Sequence, residues 1–479
     1  MMNRPIYLSG LRLLVFLLLA SWLFSSAGWL LAKVPEESKG VLTEQELISL
    51  AEQLKKIGLV EEKAADYLKI ITSVGSRLTG SPQAEAAVEK ASKLMKELGF
   101  DRVWTEPVTV KRWVRGEKEI GLVKSHQFGQ LRIEVAALGN SVATPKTGLE
   151  AGLVEVHSFT ELEKLGEQVL KGKIVFFNIP MDRTFINSFA AYGQAAQYRV
   201  RGASAAAKYG ALAVLVRSVT FRIDEHPHTG LMNYESNWPR IPALAVATAD
   251  AEKLSRWLKE DPEIRVYLKA SCQQLEPVVS HNVIGEITGL EKPKEIILVG
   301  GHLDSWDLSP GANDDAAGCA AAIEALRLVK DCGLKPRRTI RAVLFMDEEF
   351  GGTGGQAYVQ SPERAGEKHL LAIEQDQGGG LPLGLAIGKT QEIPEKIAIL
   401  EKALQQLGLN WVRNGGGGVD IGPLIKQGTV PGTVVPDSQR YFDFHHSALD
   451  KLSAVHPREL ELQALALAIT VYYFSQEGI

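Results

Sequence analysis

The chain has 479 residues, more than one typical domain, and its 45% hydrophobic and 23% charged residues belong to a globular protein rather than a disordered or fibrous one. Lys and Arg number 53 against 57 Asp and Glu, a net charge of -4, and with no basic stripe or RNA-type motif this excludes nucleic acid as the expected partner. Three cysteines, Cys272, Cys319 and Cys332, cannot all pair, so a disulfide scaffold is excluded as well.

The N-terminus carries Arg4 and Arg12, runs apolar from Leu13 to Phe24 and then shows Ser25-Ser26-Ala27, which reads as a secretory signal peptide over residues 1–27 and an exported protein, secreted or periplasmic. An uncleaved membrane anchor is the alternative, because apolar residues resume from Trp29 to Ala32 and the total approaches the roughly 20 that span a bilayer. No later segment is apolar for long enough to do so. Thr43 to Leu59 and Val60 to Thr72 have helical periodicity, and the stretch from Ser73 to Phe100 reads as a loop followed by an amphipathic helix. Residues 40–128 are thus the first part of a main domain.

From 129 to 276 the texture changes to short strands such as AGLVEVH and GKIVFFNI, an alanine-rich helix from Arg201, and IPALAVATADAEKL, which together predict an inserted α+β domain. His226 and His228 in HPHTG read as hydrogen-bonding residues of a lid loop rather than as metal ligands. Residues 277–479 resume the main domain.

There the apolar run EIILVG delivers His302-x-Asp304, and Asp314 follows twelve residues after His302 in a Gly-rich loop that opens a helix. A β-like run from Thr339 to Met346 stops at Asp347, Glu348 and Glu349, another stops at Asp376, and YFDFHHSALD offers His445 and His446. Apolar strands that each end on a ligand-type residue predict an α/β fold, a mixed sheet with a mostly parallel core flanked by helices, whose carboxyl edge gathers the site. Taken singly, these pieces have plainer readings: Asn313-Asp314-Asp315 is a good helix N-cap, and His-x-Asp is ordinary loop chemistry.

Imidazole and carboxylate without thiolate suit zinc or a similar ion. Two imidazoles and three carboxylates exceed the needs of one tetrahedral ion. If Asp314 bridges, His302 and Asp376 complete one ion and Glu349 and His446 the other, roughly 3.5–4 Å away as in two-metal hydrolases. Four positive charges against three carboxylates leave a charge suited to a bound hydroxide. Glu348, beside a ligand but opposite in side-chain alternation, is the candidate general base, and Asp304 is expected to hold the far nitrogen of His302.

The series GGHLDS, GANDDAAG, DEE and HHSALD resembles the two-zinc aminopeptidase and glutamate carboxypeptidase family of metallopeptidases. The resemblance implies a zinc exopeptidase fold, two Zn2+ ions, Asp314 as bridging ligand, His302, Glu349, Asp376 and His446 as the others, Glu348 as base, and a cis peptide between Asp314 and Asp315. Many relatives place a Tyr before the last His ligand to stabilise the oxyanion; here His445 stands there and takes that role. The insert resembles a protease-associated domain that caps the site, and SRLTGSP resembles the substrate-side entry of the catalytic domain. The expected substrate is a peptide, most specifically a dipeptide with an unblocked amino terminus, and a homodimer is implied. An aminopeptidase acting on longer peptides, an acylated-glutamate hydrolase and an inactive receptor-like ectodomain are the alternatives.

Overall fold

A computed structural model describes residues 42–479; the segment read as a signal peptide lies outside them. The strands fall into two sheets of eight. In the first, the strands in spatial order are β1 (Arg102–Val114), β10 (Gln273–Ile287), β12 (Arg338–Phe345), β11 (Lys292–His302), β13 (Lys368–Glu374), β16 (Val430–Pro436), β14 (Pro382–Ile387) and β15 (Val412–Asn414). Four neighbours in the middle, β12, β11, β13 and β16, run parallel, whereas β1 pairs antiparallel with β10, β10 with β12 and β14 with β16, and β15 runs parallel to β14. This is the mixed sheet with a parallel core that the strand-end pattern predicts.

The central strands carry apolar residues on both faces because both are covered. Ile297 and Val299 of β11 and Ile340, Ala342 and Leu344 of β12 pack with the helices Ala317–Asp331 and Pro457–Glu477, while Ile296, Leu298, Val343 and Phe345 meet Tyr358, Ile421 and Leu424 on the other face. The chain passes from β11 to β12 on one side and then to β13 on the other side of β11. That reversal opens a crevice at the carboxyl ends of β11 and β13, the position at which such sheets hold their ligands.

β1 and β10 form a long antiparallel ribbon at the edge of the sheet, and the chain between them, residues 115–272, leaves to build the second sheet. In that module β5 (Leu149–Val156), β6 (Ile174–Phe177), β7 (Ala213–Arg217) and β8 (Ala243–Val246) are parallel, extended by antiparallel β4 (Val135–Ala137) on one side and by β9 (Arg265–Lys269), β2 (Ile120–Ser125) and β3 (Gly129–Ile133) on the other. β2 therefore lies in the second sheet although it precedes residue 129, and β10 begins the return to the first sheet before residue 276. Among the described residues no helix is long and apolar enough to cross a membrane.

One buried acid cluster ties the first helices to the sheet. Glu461 is fully buried on helix Pro457–Glu477, accepts the N–H of Ala64 at 3.1 Å, and lies against Gly58, where a Cβ would come within 2.7 Å of its carboxylate. Burial, with the neighbouring Glu324 carboxylate, pushes its carboxyl up to about 9 from an ordinary 4.5. The folded chain thus keeps a proton that the unfolded chain releases, so stability falls as pH rises from about 4.5 to about 9. Glu461→Gln, which keeps an acceptor for Ala64 and a donor for Glu324, is expected to be about 1–3 kcal/mol more stable than the parent at pH 8 and nearly equal at pH 4.5. Thermal unfolding across that range checks this, and parallel pH profiles for the two proteins would refute it.

Candidate metal centre

β11 ends on His302, which is 1% exposed. Its Nε2 lies 3.1 Å from Asp314 Oδ1 and 3.6 Å from Asp376 Oδ1, the residue just past the end of β13. The other oxygen of Asp314 faces a second imidazole, with Oδ2 3.3 Å from His446 Nε2, and that same nitrogen lies 3.1 Å from Glu349 Oε2. One carboxylate thus stands between two imidazoles, each with a further carboxylate of its own. The ligand atoms of His302, Asp314 and Glu349 all lie within 4.8 Å of one another, as do those of Asp314, His445 and His446, and those of His302, Asp315 and Asp376.

The loops that present these groups are fixed by buried acceptors. Asp450 takes the N–H of Asn313 at 2.6 Å and of Asp314 at 3.0 Å, and Asp315 takes those of His302 and Gly318, each at 3.0 Å. The peptide bond between Asp314 and Asp315 is cis, as the family resemblance implies. Asp304 departs from its expected part. His302 Nδ1 donates to the Asp304 main-chain carbonyl at 3.1 Å, whereas the carboxylate stands 3.8 Å away. That carboxylate is already engaged, accepting the N–H groups of Asp347, Glu348 and Glu349 at 2.8, 3.2 and 3.3 Å. Asp304 therefore fixes the imidazole with its backbone and the acidic turn with its side chain.

Burial alone would raise the Asp314 carboxyl, but the adjacent imidazoles of His302 and His446 hold it well below the usual range. Burial opposes a charge on His446, yet Glu349 and Asp314 push its pKa up to about 9. Burial drives the Glu348 carboxyl well above its ordinary value, opposed by His302 and reinforced by Asp376. His445 is different: burial and the neighbouring His446 hold it well below 6.5, so its ring is neutral. It stacks on His446 with centroids 3.5 Å apart, its Nε2 is 3.7 Å from Asp314 Oδ2, and its Nδ1 has no partner.

The module of residues 115–272 completes the wall. The N–H of Thr229 donates to the carbonyl of His446 at 2.9 Å, and His446 Nδ1 donates to the carbonyl of Thr229 at 3.3 Å, which turns Nε2 toward the carboxylates. His228 Nδ1 donates to the carbonyl of His445 at 2.7 Å, and burial lowers its pKa to about 4, so it serves as a hydrogen-bonding residue, as the HPHTG motif predicts. Arg115 joins Asp307, in the loop after His302, to Glu119 of the module. Phe189, Tyr192, Arg199 and Leu231 line the same cavity of about 290 Å³ as Asp314 and Glu348.

All eight residues picked out in the sequence meet here. Several partners were not picked out. Trp306 donates its indole N–H to Glu349 Oε2 at 2.5 Å, and Arg77, fully buried, donates to the carbonyls of Leu303 and Gly311 at 2.6 and 3.0 Å. Trp306 follows HLDS, Asp450 closes HHSALD and Arg77 lies in SRLTGSP, so each stands beside a motif already recognised.

The model of the family described as Peptidase family M28 matches residues 282–470. The chain is 36% identical to carboxypeptidase Q of Bos taurus over 84% of its own length and 83% of the relative's, and equally to that of Homo sapiens over the same shares. A crystal structure of a peptidase M28 precursor from Shewanella amazonensis superposes with a TM-score of 0.86 at 35% identity, covering 91% of this chain and 98% of that one. A zinc aminopeptidase from Bacillus subtilis, at 20% identity and a TM-score of 0.63 over 87% of this chain and 96% of that one, shares the fold.

Trp306→Phe keeps an aromatic ring against Phe350 and His446 and deletes only the donor to Glu349. Its metal affinity is expected to fall about tenfold or more, by competition with a chromogenic chelator. An unchanged affinity would show that this hydrogen bond does not tune the centre.

Proposed function

The chain belongs to peptidase family M28, and from that premise we propose that it is an exported, zinc-dependent exopeptidase that hydrolyses dipeptides with a free amino terminus. The observation that carries the reading is the Asp314 carboxylate between His302 and His446, with Asp376 and Glu349 on its two flanks.

The donor set fits a pair of divalent ions. Asp314 Oδ2 and Glu349 Oε1 are buried and accept no hydrogen bond, which is costly for carboxylate oxygens unless a cation meets them. Two imidazoles and three carboxylates without thiolate favour zinc. In this reading His302 and Asp376 would hold one ion and Glu349 and His446 the other, with Asp314 available to both. Ions held there supply Lewis-acid polarisation of a peptide carbonyl and a water acidic enough to ionise near neutral pH.

The chain's own groups do the rest. Glu348, lining the cavity beside Asp314 and Asp376, takes the proton of the attacking water and returns it to the nitrogen of the leaving amine. The neutral His445 ring, held by stacking and by the His228 contact to its carbonyl, helps hold the oxygen on which negative charge develops. The module, resembling a protease-associated domain, contributes Phe189, Tyr192 and Leu231 to the wall of a cavity of about 290 Å³, a size that suits a short peptide. A dipeptide presents both a free amine and a free carboxylate, which accommodates an aminopeptidase-like centre in a relative of proteins named carboxypeptidase Q. The apolar segment Leu13 to Phe24 supports export.

Glu348→Gln is expected to retain its metal and to lose about 10²–10⁴-fold in kcat on a dipeptide. Full turnover by that variant would remove Glu348 as the base. A panel of dipeptides, longer peptides and N-blocked dipeptides, run with metal analysis, tests the substrate: preference for N-blocked or longer peptides would overturn the dipeptidase reading, and a metal content near zero would overturn the zinc centre.

A further inference from the structure

Between His302 and Asp314 the chain runs through an irregular loop, residues 303–311, on which much of the centre depends. Asp304 in that loop accepts the N–H groups of the acidic turn, Trp306 donates to Glu349, and Asp307 pairs with Arg115 of the module. Gly311, at φ +59, closes the loop against Ser305, where a Cβ would come within 2.3 Å of the serine Cβ. No strand or helix spans the loop, so the spacing of the two ligands is set by whatever holds its ends.

One side chain from elsewhere in the sequence holds both. Arg77, in the SRLTGSP segment between helices Lys63–Thr72 and Pro82–Glu97, is fully buried. Its Nε donates to the carbonyl of Leu303 at 2.6 Å, one terminal nitrogen donates to that of Pro310, and the other to that of Gly311 at 3.0 Å. A single planar group thus joins the residue that follows His302 to the far end of the loop, three positions before Asp314. The backbones are tied as well: the N–H of Arg77 donates to Ser305 Oγ at 3.0 Å, and the N–H of Ser305 to the Arg77 carbonyl at 3.1 Å. Other deeply buried arginines pair with carboxylates, Arg115 with Asp307 and Glu119, Arg327 with Glu324, and Arg341 with Glu286 and Glu367. Arg77 instead serves main-chain carbonyls. A guanidinium suits that task because its donors point in fixed directions within one plane, whereas an ammonium on a flexible stem fixes no spacing between acceptors.

We propose that Arg77 is a positioning residue of the metal centre, bracing both ends of the 303–311 loop so that His302 and Asp314 stand at ligating separation before any ion binds. The inference rests on the metal centre proposed above and goes beyond it by naming what keeps its ligands in register. Carbonyls deprived of the guanidinium would be buried without donors, and a loop that relaxed to satisfy them would draw Asp304 and Trp306 away from the acidic turn. Arg77 acts through the loop and takes no part in proton transfer.

The test uses the full chain, stripped of metal and reloaded. Arg77→Lys keeps the charge without the planar fork, and is expected to bind zinc about 10–100-fold more weakly in competition with a chromogenic chelator, at a temperature where the zinc-free variant is still folded. Its cobalt(II)-loaded form is expected to show a shifted visible absorption band, the mark of displaced ligands, and its kcat on a dipeptide to fall while KM stays within about threefold. Ser305→Ala, which removes the hydroxyl that accepts the Arg77 N–H, is expected to lose about two- to tenfold in zinc affinity, and decides the matter if Arg77→Lys does not fold. Variants that melt earlier without zinc yet match the parent in zinc affinity and cobalt spectrum would show Arg77 to brace the fold alone, overturning the proposal. Absence of zinc binding by the parent would remove the metal centre and this inference with it, whereas a parent that binds zinc no better than Arg77→Lys would remove Arg77 alone.

Discussion

The Asp314 carboxylate, faced by an imidazole on each of its oxygens, is the contact around which the rest is arranged. His302 comes from the end of a central strand, and His446 from a short loop far along the chain that reaches the same point only through its neighbours. Such a gathering of charge in the interior is unstable unless each member is fixed and matched. The fixing is visible in the acceptors behind it: Asp450 holds the main chain of Asp314, Asp304 holds the turn carrying Glu349, and Thr229 holds His446. A displaced loop would leave buried charge uncompensated, which is why so many buried carboxylates serve backbone N–H groups here.

The parallel core, and the convergence of His302, Glu349 and Asp376 at its carboxyl edge, were legible because the central strands carry apolar residues on both faces and then break at a polar residue, so that one sequence signal reports both the strand and its end. Asp304 shows where such reading stops. Its type and position promised a carboxylate partner for His302, yet the backbone carbonyl takes that part while the side chain serves three N–H groups contributed by another strand end. A main-chain acceptor leaves no trace in residue type, and Thr229 was equally invisible for the same reason. The edge of the second sheet was misjudged because β1 and β2 differ little in texture, both being alternating strands near a change of layer.

Electrostatics divide the site into two kinds of group. His446 and Asp314 stabilise one another's charged forms, so a cation bound between them would take the place of the imidazolium proton, whereas His445 is kept neutral at their side despite being in ring contact with His446. Two adjacent histidines thus differ in charge because Glu349 and Asp314 both act on His446, whereas at His445 burial and the His446 ring outweigh Asp314 alone. Residue type alone could not separate them.

The 115–272 module departs from β1 and is rejoined at β10, two strands already paired as a ribbon, so by connectivity it resembles a decoration that natural variation could swap or delete with a simple hairpin in its place. Its contact to His446 argues otherwise. Its outer surface can be rewritten freely, but the backbone carbonyl of Thr229 at its inner rim must stay where it is, so any reshaping of this lobe is tied to the orientation of the His446 imidazole.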